Sequence, residues 1–230
     1  AAGASFGQFS INEDDSVVVV FNGEIYNFRT LQNELKSLFN IKFKTQSDTE
    51  VILELIVQYG FRKTLDKITG MFSLVVWDKK EKNLFLAIDP LGKKPLYWSV
   101  DDKKLIFASE IKSILEFKGF KKTLNYQSLS EFFRFSYIKA PNTIFDGLNK
   151  LEPGTYLIFS RELKFKKFRY WHPNSFLYSS TDLVKSEETV VEELHEILNI
   201  SVSERLTADV PVGVLLSGGI DSSLVSSLAK

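Results

Sequence analysis

The stretch SVVVVFNGE, residues 16–24, sets the expectation for the fold of the first part of the chain. A run of valines followed by a phenylalanine is bounded on both sides by polar residues. Such a short β-branched and aromatic run is typical of a buried β-strand. Asn22 and Gly23 follow it, and an Asn-Gly pair is a common turn sequence. We therefore expect a buried strand that ends in a turn at Asn22 and Gly23.

Two helical patterns follow this strand. Residues 27–39 carry apolar side chains at helical spacing, and residues 47–60 carry a second apolar stripe. Ser47 is followed three residues later by Glu50, which is the pattern of a capping box. Gly60 stands where the second helix should end. The sequence therefore predicts a helix over 48–59.

Beyond Met71 the apolar pattern changes to short β-rich runs separated by polar turns, which predicts an antiparallel meander. The expected strands cover 71–78, 83–89, 95–100 and 104–109. Helices are expected near 109–116 and 128–134, and further strands near 155–160 and 165–171. These elements together predict a layered α+β domain.

The end of the chain has a different organisation. Residues 174–188 are polar and serine-rich, which indicates a linker, and we place the domain boundary near 175–186. An amphipathic helix follows, and DVPVGVLL, residues 209–216, then predicts an apolar strand. A helix, a strand, a glycine-rich loop and a second helix are the opening of a parallel α/β sheet.

The glycine-rich loop SGGIDSS, residues 217–223, indicates a phosphate-binding site. Glycines let the backbone turn tightly around an anion, and the following helix directs its free N–H groups to the same place. The loop is not a Walker A motif, since Gly219 stands where that motif needs lysine. Asp221 would cap the helix or hold Mg²⁺. The alternative is a plain strand-to-helix turn capped by serine and aspartate.

Composition excludes several classes of protein. The 29 basic and 29 acidic residues give no net charge, which argues against a nucleic-acid partner. The chain has no cysteine, and its two histidines, His172 and His195, are isolated, so we expect no metal site. No apolar run is long enough to span a bilayer, and the N-terminal residues do not resemble a signal peptide. A cytoplasmic location is the default expectation.

Several motifs carry a resemblance to a known family. The loop SGGIDSS resembles the pyrophosphate loop of ATP pyrophosphatases, and DVPVGVLLSGGIDSSL resembles glutamine-dependent asparagine synthetases. Further motifs, in the same order along the chain, resemble the glutaminase domain of that family. These are VVVVFNGEIYNF, SDTEVIL, GMFSLVVWD, DPLGKKPLYW, FASEIKSIL and LEPGTYLI.

The resemblance implies a fold and an activity. It implies a four-layer αββα sandwich of the N-terminal-nucleophile type over 1–175, and the beginning of an ATP-pyrophosphatase domain over 187–230. Such enzymes make asparagine from aspartate, glutamine and ATP through an aspartyl-adenylate. The resemblance thus implies glutamine, aspartate, ATP and Mg²⁺ as ligands, and a homodimer in the full-length enzyme.

The resemblance also implies residue roles. Asn22 and Gly23 would bind glutamine and form its oxyanion hole, and Glu24 and Asp48 would hold its α-amino group. An ordinary turn at Asn22–Gly23 and a helix cap at Asp48 are the alternative interpretations. Leu215 would lie beside adenine. The residues expected around the ATP phosphates are Ser217, Gly218, Gly219, Asp221, Ser222 and Ser223.

The chain departs from the family in one large respect. The family's nucleophile is an N-terminal cysteine, and no cysteine is present among these 230 residues. The family's opening strand and its arginine-bearing segment have no counterpart either. We therefore expect a chain truncated at both ends and inactive alone. Two alternatives stay open: a related amidotransferase acting on a sugar or peptide carboxylate in cell-surface biosynthesis, and a degenerate, non-catalytic module.

Overall fold

A computed structural model describes residues 8–101, 103–176, 185–206 and 211–229. Its contacts divide the chain into two compact units, Ala1–His172 and Pro173–Lys230. Residues 177–184 of the predicted linker lie outside the described residues, as do residues 209 and 210 of the predicted 209–216 strand. No helix in the described ranges combines the length and the apolar character needed to cross a bilayer.

The first unit contains both strands and helices. Its strands are β1 Gln8–Ile11, β2 Val17–Ile25, β3 Gly70–Asp78, β4 Asn83–Ile88, β5 Tyr97–Val100, β6 Leu105–Ala108, β7 Asn149–Lys150, β8 Thr155–Phe159 and β9 Phe165–Arg169. Its helices are α1 Phe28–Phe39, α2 Asp48–Tyr59, α3 Phe61–Lys67, α4 Ile111–Leu115 and α5 Tyr126–Phe135.

The strands form two sheets rather than one meander. The larger sheet has the order β1-β2-β3-β4-β8-β9 and the smaller sheet has the order β6-β5-β7, with antiparallel pairing throughout. The predicted single meander is therefore wrong after β4. The cause lies at Asp89, whose carboxylate accepts the N–H groups of Leu91, Lys93 and Lys94. These bonds fold the chain into a turn and direct it out of the larger sheet.

The two faces of the larger sheet are covered differently. Side chains such as Val19 and Phe21 on β2 lie in the core shared with helices α1–α3. Val75 and Leu86 face the other way and pack with Trp98 of the smaller sheet. Neighbouring residues of a strand point to opposite faces, so one apolar run serves both cores. With α4 in contact with β6, the predicted α+β sandwich with two central sheets is confirmed for the first unit.

Helix α2 has the predicted bounds, but its cap differs from the predicted one. The Ser47 hydroxyl accepts the Thr49 N–H at 3.2 Å, as an N-cap should. The Glu50 carboxylate does not complete the box. It accepts the N–H groups of Lys44 and Thr45, each at 2.7 Å, because it closes the loop that precedes the helix.

The second unit is helical in its described part. It contains a 3₁₀ turn at Pro173–Phe176 and the helices α6 Glu187–Arg205 and α7 Ile220–Leu228. The predicted apolar strand is absent from residues 211–216. A parallel strand needs neighbours for its N–H and C=O groups, and the described part of this unit offers no second strand.

Candidate active site

Asn22 and Gly23 lie inside β2, and the predicted turn at these residues is wrong. Asn22 lies opposite Ser73 of β3, and Gly23 lies opposite Phe72. The pairing then continues to Ile25 at the end of β2. The Asn-Gly pair therefore lies within a strand and does not form a hairpin turn.

Close approach of two strands explains the glycine at position 23. A Cβ atom added to Gly23 would lie 2.1 Å from the Met71 carbonyl oxygen. Gly70 is constrained in the same way from the other side, since its added Cβ would lie 2.1 Å from the Glu24 carbonyl oxygen. No side chain fits at either position without movement of the backbone, so the two glycines together permit this contact between β2 and β3.

The hydrogen bonds of Phe72 show which way the Gly23 N–H points. The Phe72 N–H donates to Asp89 Oδ2 at 3.2 Å, and the Phe72 carbonyl accepts the Asp89 N–H at 2.8 Å. The backbone N–H and C=O groups of Phe72 are thus directed toward β4. Gly23 and Phe72 are therefore a pair that exchanges no backbone hydrogen bonds. The Gly23 N–H therefore points away from β3, to the same side as the N–H of Ile25. That side of β2 is occupied by Asp48.

Asp48 is the first residue of α2 and is bonded to the end of β2. Its Oδ2 accepts the Ile25 N–H at 3.1 Å. Burial raises the pKa of the Asp48 carboxyl, although the hydrogen bonds from Ile25 and Thr49 oppose that change. The N-cap position belongs to Ser47. Asp48 is therefore not the N-cap of α2, and its carboxylate instead contacts the end of β2.

Glu24 has an exposed side chain on the face of β2 that also carries Asn22, because residues two apart in a strand share a face. Phe21 and Ile25 are buried against the helices on the opposite face. Asp48 is bonded to the residue that follows Glu24. The structure thus brings two carboxyl groups, an amide side chain and a backbone N–H to one end of β2.

The Asn22 side chain reaches the smaller sheet. Its Nδ2 donates to Ser109 Oγ at 2.9 Å, just after the end of β6. Asn22 and Ser109 also line a cavity of about 170 Å³. The other lining residues are Val20, Ser73, Val75, Leu96, Phe107 and Ala108. The cavity wall is therefore mostly apolar, with one amide and two hydroxyl groups, and Asn22 is the residue that links it to the candidate site.

Two residues of this region were missed by sequence reasoning, although both lie in motifs that carried the resemblance. Ser109 belongs to FASEIKSIL and Asp89 belongs to DPLGKKPLYW. Asp89 is only 1% exposed, and its carboxylate accepts four backbone N–H groups, including that of Phe72. A charged residue inside an apolar segment was the available signal, because such a carboxylate needs several donors when it is buried.

In the second unit, four residues of the predicted phosphate loop are joined by hydrogen bonds. The Ser222 and Ser223 hydroxyls donate to the Gly219 carbonyl at 3.0 and 2.8 Å, and Ser217 Oγ lies 3.0 Å from Ser222 Oγ. Gly218 has a φ of 81°, a conformation that favours glycine. The loop leads into α7, as expected.

Two further residues are predicted to bind ATP, Leu215 before the loop and Asp221 within it. Leu215 is 95% exposed, and Asp221 lies in the first turn of α7. Across the described ranges, no group of three or more His, Cys, Asp and Glu side chains is arranged to hold a metal ion.

Comparison with protein families gives the class of the chain. Residues 4–171 match the model of the glutamine amidotransferase domain. The chain therefore belongs to the glutamine amidotransferase domain family. Residues 193–230 match a second model, that of asparagine synthase, so the chain joins a glutaminase-type domain to the start of a synthetase-type domain.

Curated relatives agree with this combination. A putative glutamine-hydrolysing asparagine synthetase of Methanocaldococcus jannaschii is 36% identical over 93% of this chain and 40% of its own length. Asparagine synthetase 2 of Bacillus subtilis is 37% identical over 95% of this chain and 30% of its own length. The amidase chry2 of Gibberella zeae is 36% identical over 95% of this chain and 31% of its own length. The chain thus spans well under half the length of these relatives.

Solved structures were compared as well. Glutamine phosphoribosylpyrophosphate amidotransferase from B. subtilis, complexed with ADP and GMP, is 18% identical and has a TM-score of 0.48. That alignment covers 100% of this chain and 48% of the solved chain.

Proposed function

We propose that the first unit is the glutamine-binding half of a glutamine-hydrolysing asparagine synthetase. The observation that carries the proposal is the arrangement of polar groups along the end of β2. Asn22 and Gly23 are neighbours there, the Gly23 N–H points away from β3, and the Asp48 carboxylate accepts the N–H of Ile25, two residues further on. These groups match the needs of glutamine, which has an amide at one end and an ammonium at the other.

The proposed roles follow from the chemistry of amide hydrolysis. Attack on the glutamine amide carbon places negative charge on its oxygen. The Asn22 Nδ2–H and the Gly23 N–H are donors of the kind that stabilise such an oxyanion. Glu24 and Asp48 supply the anionic partners that the α-ammonium group needs. A thiol is the nucleophile that the family supplies for this attack, and these 230 residues contain no cysteine.

The synthetase half of the proposal rests on the match of residues 193–230 and on the names of the relatives. ATP would bind at the loop of residues 217–223, where Asp221 would hold Mg²⁺. Aspartate would be activated as an aspartyl-adenylate and attacked by ammonia from glutamine. A cytoplasmic location and a homodimer of the complete enzyme are part of the same proposal.

Binding of L-glutamine to the intact chain tests the glutamine site. Nuclear magnetic resonance is suited to weak binding of roughly millimolar affinity. We expect L-glutamine to shift the signals of β2 and of the start of α2, and Asn22→Ala and Glu24→Gln to weaken that binding. Glu81→Gln is the matched control, because Glu81 is exposed in the turn between β3 and β4. Unchanged spectra at saturating L-glutamine would remove the basis of the proposal.

A second candidate is an amidotransferase or amidase with another acceptor. The observation that favours it is the relative named amidase chry2, which matches as much of this chain as the asparagine synthetases do. Both candidates use the same glutamine site, so aspartate-dependent release of pyrophosphate by the complete enzyme distinguishes them.

A further inference from the structure

We infer that Ser109 is a positioning residue of the glutamine site, which sets the orientation of the Asn22 amide; this inference rests on the function proposed above. Ser109 Oγ is the acceptor for Asn22 Nδ2 at 2.9 Å. Asn22 lies in the larger sheet, and Ser109 directly follows β6 of the smaller sheet, 87 positions further along the chain. The hydrogen bond therefore fixes a side chain of the larger sheet against the edge of the smaller one.

The chemistry of the two groups explains why the bond matters. The last torsion of an asparagine side chain is broad, so an amide without a fixed partner samples several orientations. A serine hydroxyl can accept one of the amide hydrogens and thereby select one orientation. Oxyanion donors act best when they already point to the developing charge, since no reorganisation is then needed during the reaction.

The bond lies in the wall of a cavity. Asn22 and Ser109 share the wall of the 170 Å³ cavity, together with apolar side chains such as Leu96 and Phe107. Ser73, the other hydroxyl of the wall, lies opposite Asn22 on β3 and is buried.

The test uses the intact chain with Ser109→Ala, Ser109→Thr and the control Ser113→Ala, whose serine is exposed on α4. L-Glutamine and L-norvaline are the probes, because norvaline keeps the α-amino acid part and lacks the carboxamide. We expect Ser109→Ala to move the Asn22 side-chain amide signal and to weaken L-glutamine binding about threefold to tenfold. Norvaline binding should not change, and Ser109→Thr, which restores the hydroxyl, should bind glutamine nearly as the parent does.

The remaining outcomes separate the two proposals. Equal glutamine binding by the parent and Ser109→Ala would overturn the role of Ser109 and leave the glutamine site in place. Equal weakening of glutamine and norvaline would assign Ser109 a structural role and overturn positioning. If the parent binds no glutamine, the proposed function fails. The NMR signal of the Asn22 side-chain amide then still tests whether Ser109 orients that amide. This role of Ser109 is overturned if Ser109→Ala leaves the signal unmoved.

Discussion

Gly23 and Asp48 each have a structural role in the fold and a chemical role in the proposed function. Gly23 permits the close contact between β2 and β3, and the same backbone position turns its N–H outward. Asp48 bonds the start of α2 to Ile25 and also brings a carboxylate to the candidate site. A substitution at either residue therefore tests packing and binding together, and each needs its own control.

Gly23→Ala should destabilise the first unit. The new methyl group would lie 2.1 Å from a backbone oxygen, and the strands would have to separate to accept it. Such overpacking costs about 1 to 3 kcal/mol. Urea unfolding measures the loss. Gly213→Ala, at a position with open space around the added Cβ, should leave stability unchanged. Equal stabilities of the two variants would contradict the close approach of the strands.

Glutamine binding should weaken on acidification because of Asp48. Burial raises the pKa of this carboxyl. As the pH falls through that raised pKa, the group takes up a proton and no longer attracts an ammonium ion. This loss begins at a higher pH than for an ordinary aspartate. Titrations with L-glutamine from about pH 7 to about pH 4 measure the effect.

Asp48→Asn is the control for the pH dependence. It should bind glutamine more weakly at neutral pH and should lose the part of the pH dependence that Asp48 contributes. Glu24→Gln should retain that part. An identical pH profile for Asp48→Asn and the parent chain would show that Asp48 does not contact the ammonium group.

At the scale of elements, the turn after β4 decides the architecture. Asp89 binds the N–H groups of its own turn and that of Phe72, so one carboxylate holds the turn against β3. Its backbone carbonyl also accepts the N–H groups of Gly92 and Gly154. The turn sends the chain into the second sheet and brings Leu96 to the cavity wall.

Asp89→Asn should therefore destabilise the fold strongly. An asparagine has one acceptor oxygen, and its NH₂ group would face backbone N–H groups that already need acceptors. Leaving buried donors unpaired costs about 2 kcal/mol or more. Chemical unfolding measures the cost. Asp101→Asn is the matched control, since exposed Asp101 also accepts two backbone N–H groups of a turn. Comparable losses in both variants would refute a special role for Asp89.

The sequence predicted most elements but not how the strands are distributed between sheets. Helix α2 has its predicted bounds, since its apolar stripe and its flanking Ser47 and Gly60 are local signals. The choice of β8 rather than β5 as the partner of β4 depends on the buried bonds of Asp89, and a charged residue at the end of an apolar run does not by itself show where the next strand will pair. The Asn22–Gly23 pair predicted a turn wrongly because the strand that pairs with these residues, β3, begins far along the chain.

At the scale of the whole molecule, the two units differ in how far their apolar residues are covered. The first unit has two cores, one on each side of the larger sheet. In the second unit, Leu194 and Ile197 of α6 are 53% and 63% exposed. The predicted amphipathic pattern of α6 thus has no matching core among the described residues of its own unit.

The 230-residue chain should release no glutamate from glutamine. The candidate site offers the proposed oxyanion donors, but hydrolysis through a covalent intermediate needs a nucleophile, and the chain has no thiol. Incubation of the pure chain with glutamine, followed by measurement of glutamate, tests this expectation. Release above background that disappears in Asn22→Ala would show that another group of the chain attacks the amide.

The bond between Asn22 and Ser109 also has a consequence for the order of events during synthesis. A nascent chain that has emerged only as far as α3 contains Asn22, Gly23, Glu24 and Asp48 but not yet Ser109. Contacts between residues this far apart form late in folding, because a long loop must first close. The oxyanion donors should therefore reach their final orientation only after β6 has been made and the two sheets have met. A partly synthesised chain would be unable to present this site to glutamine.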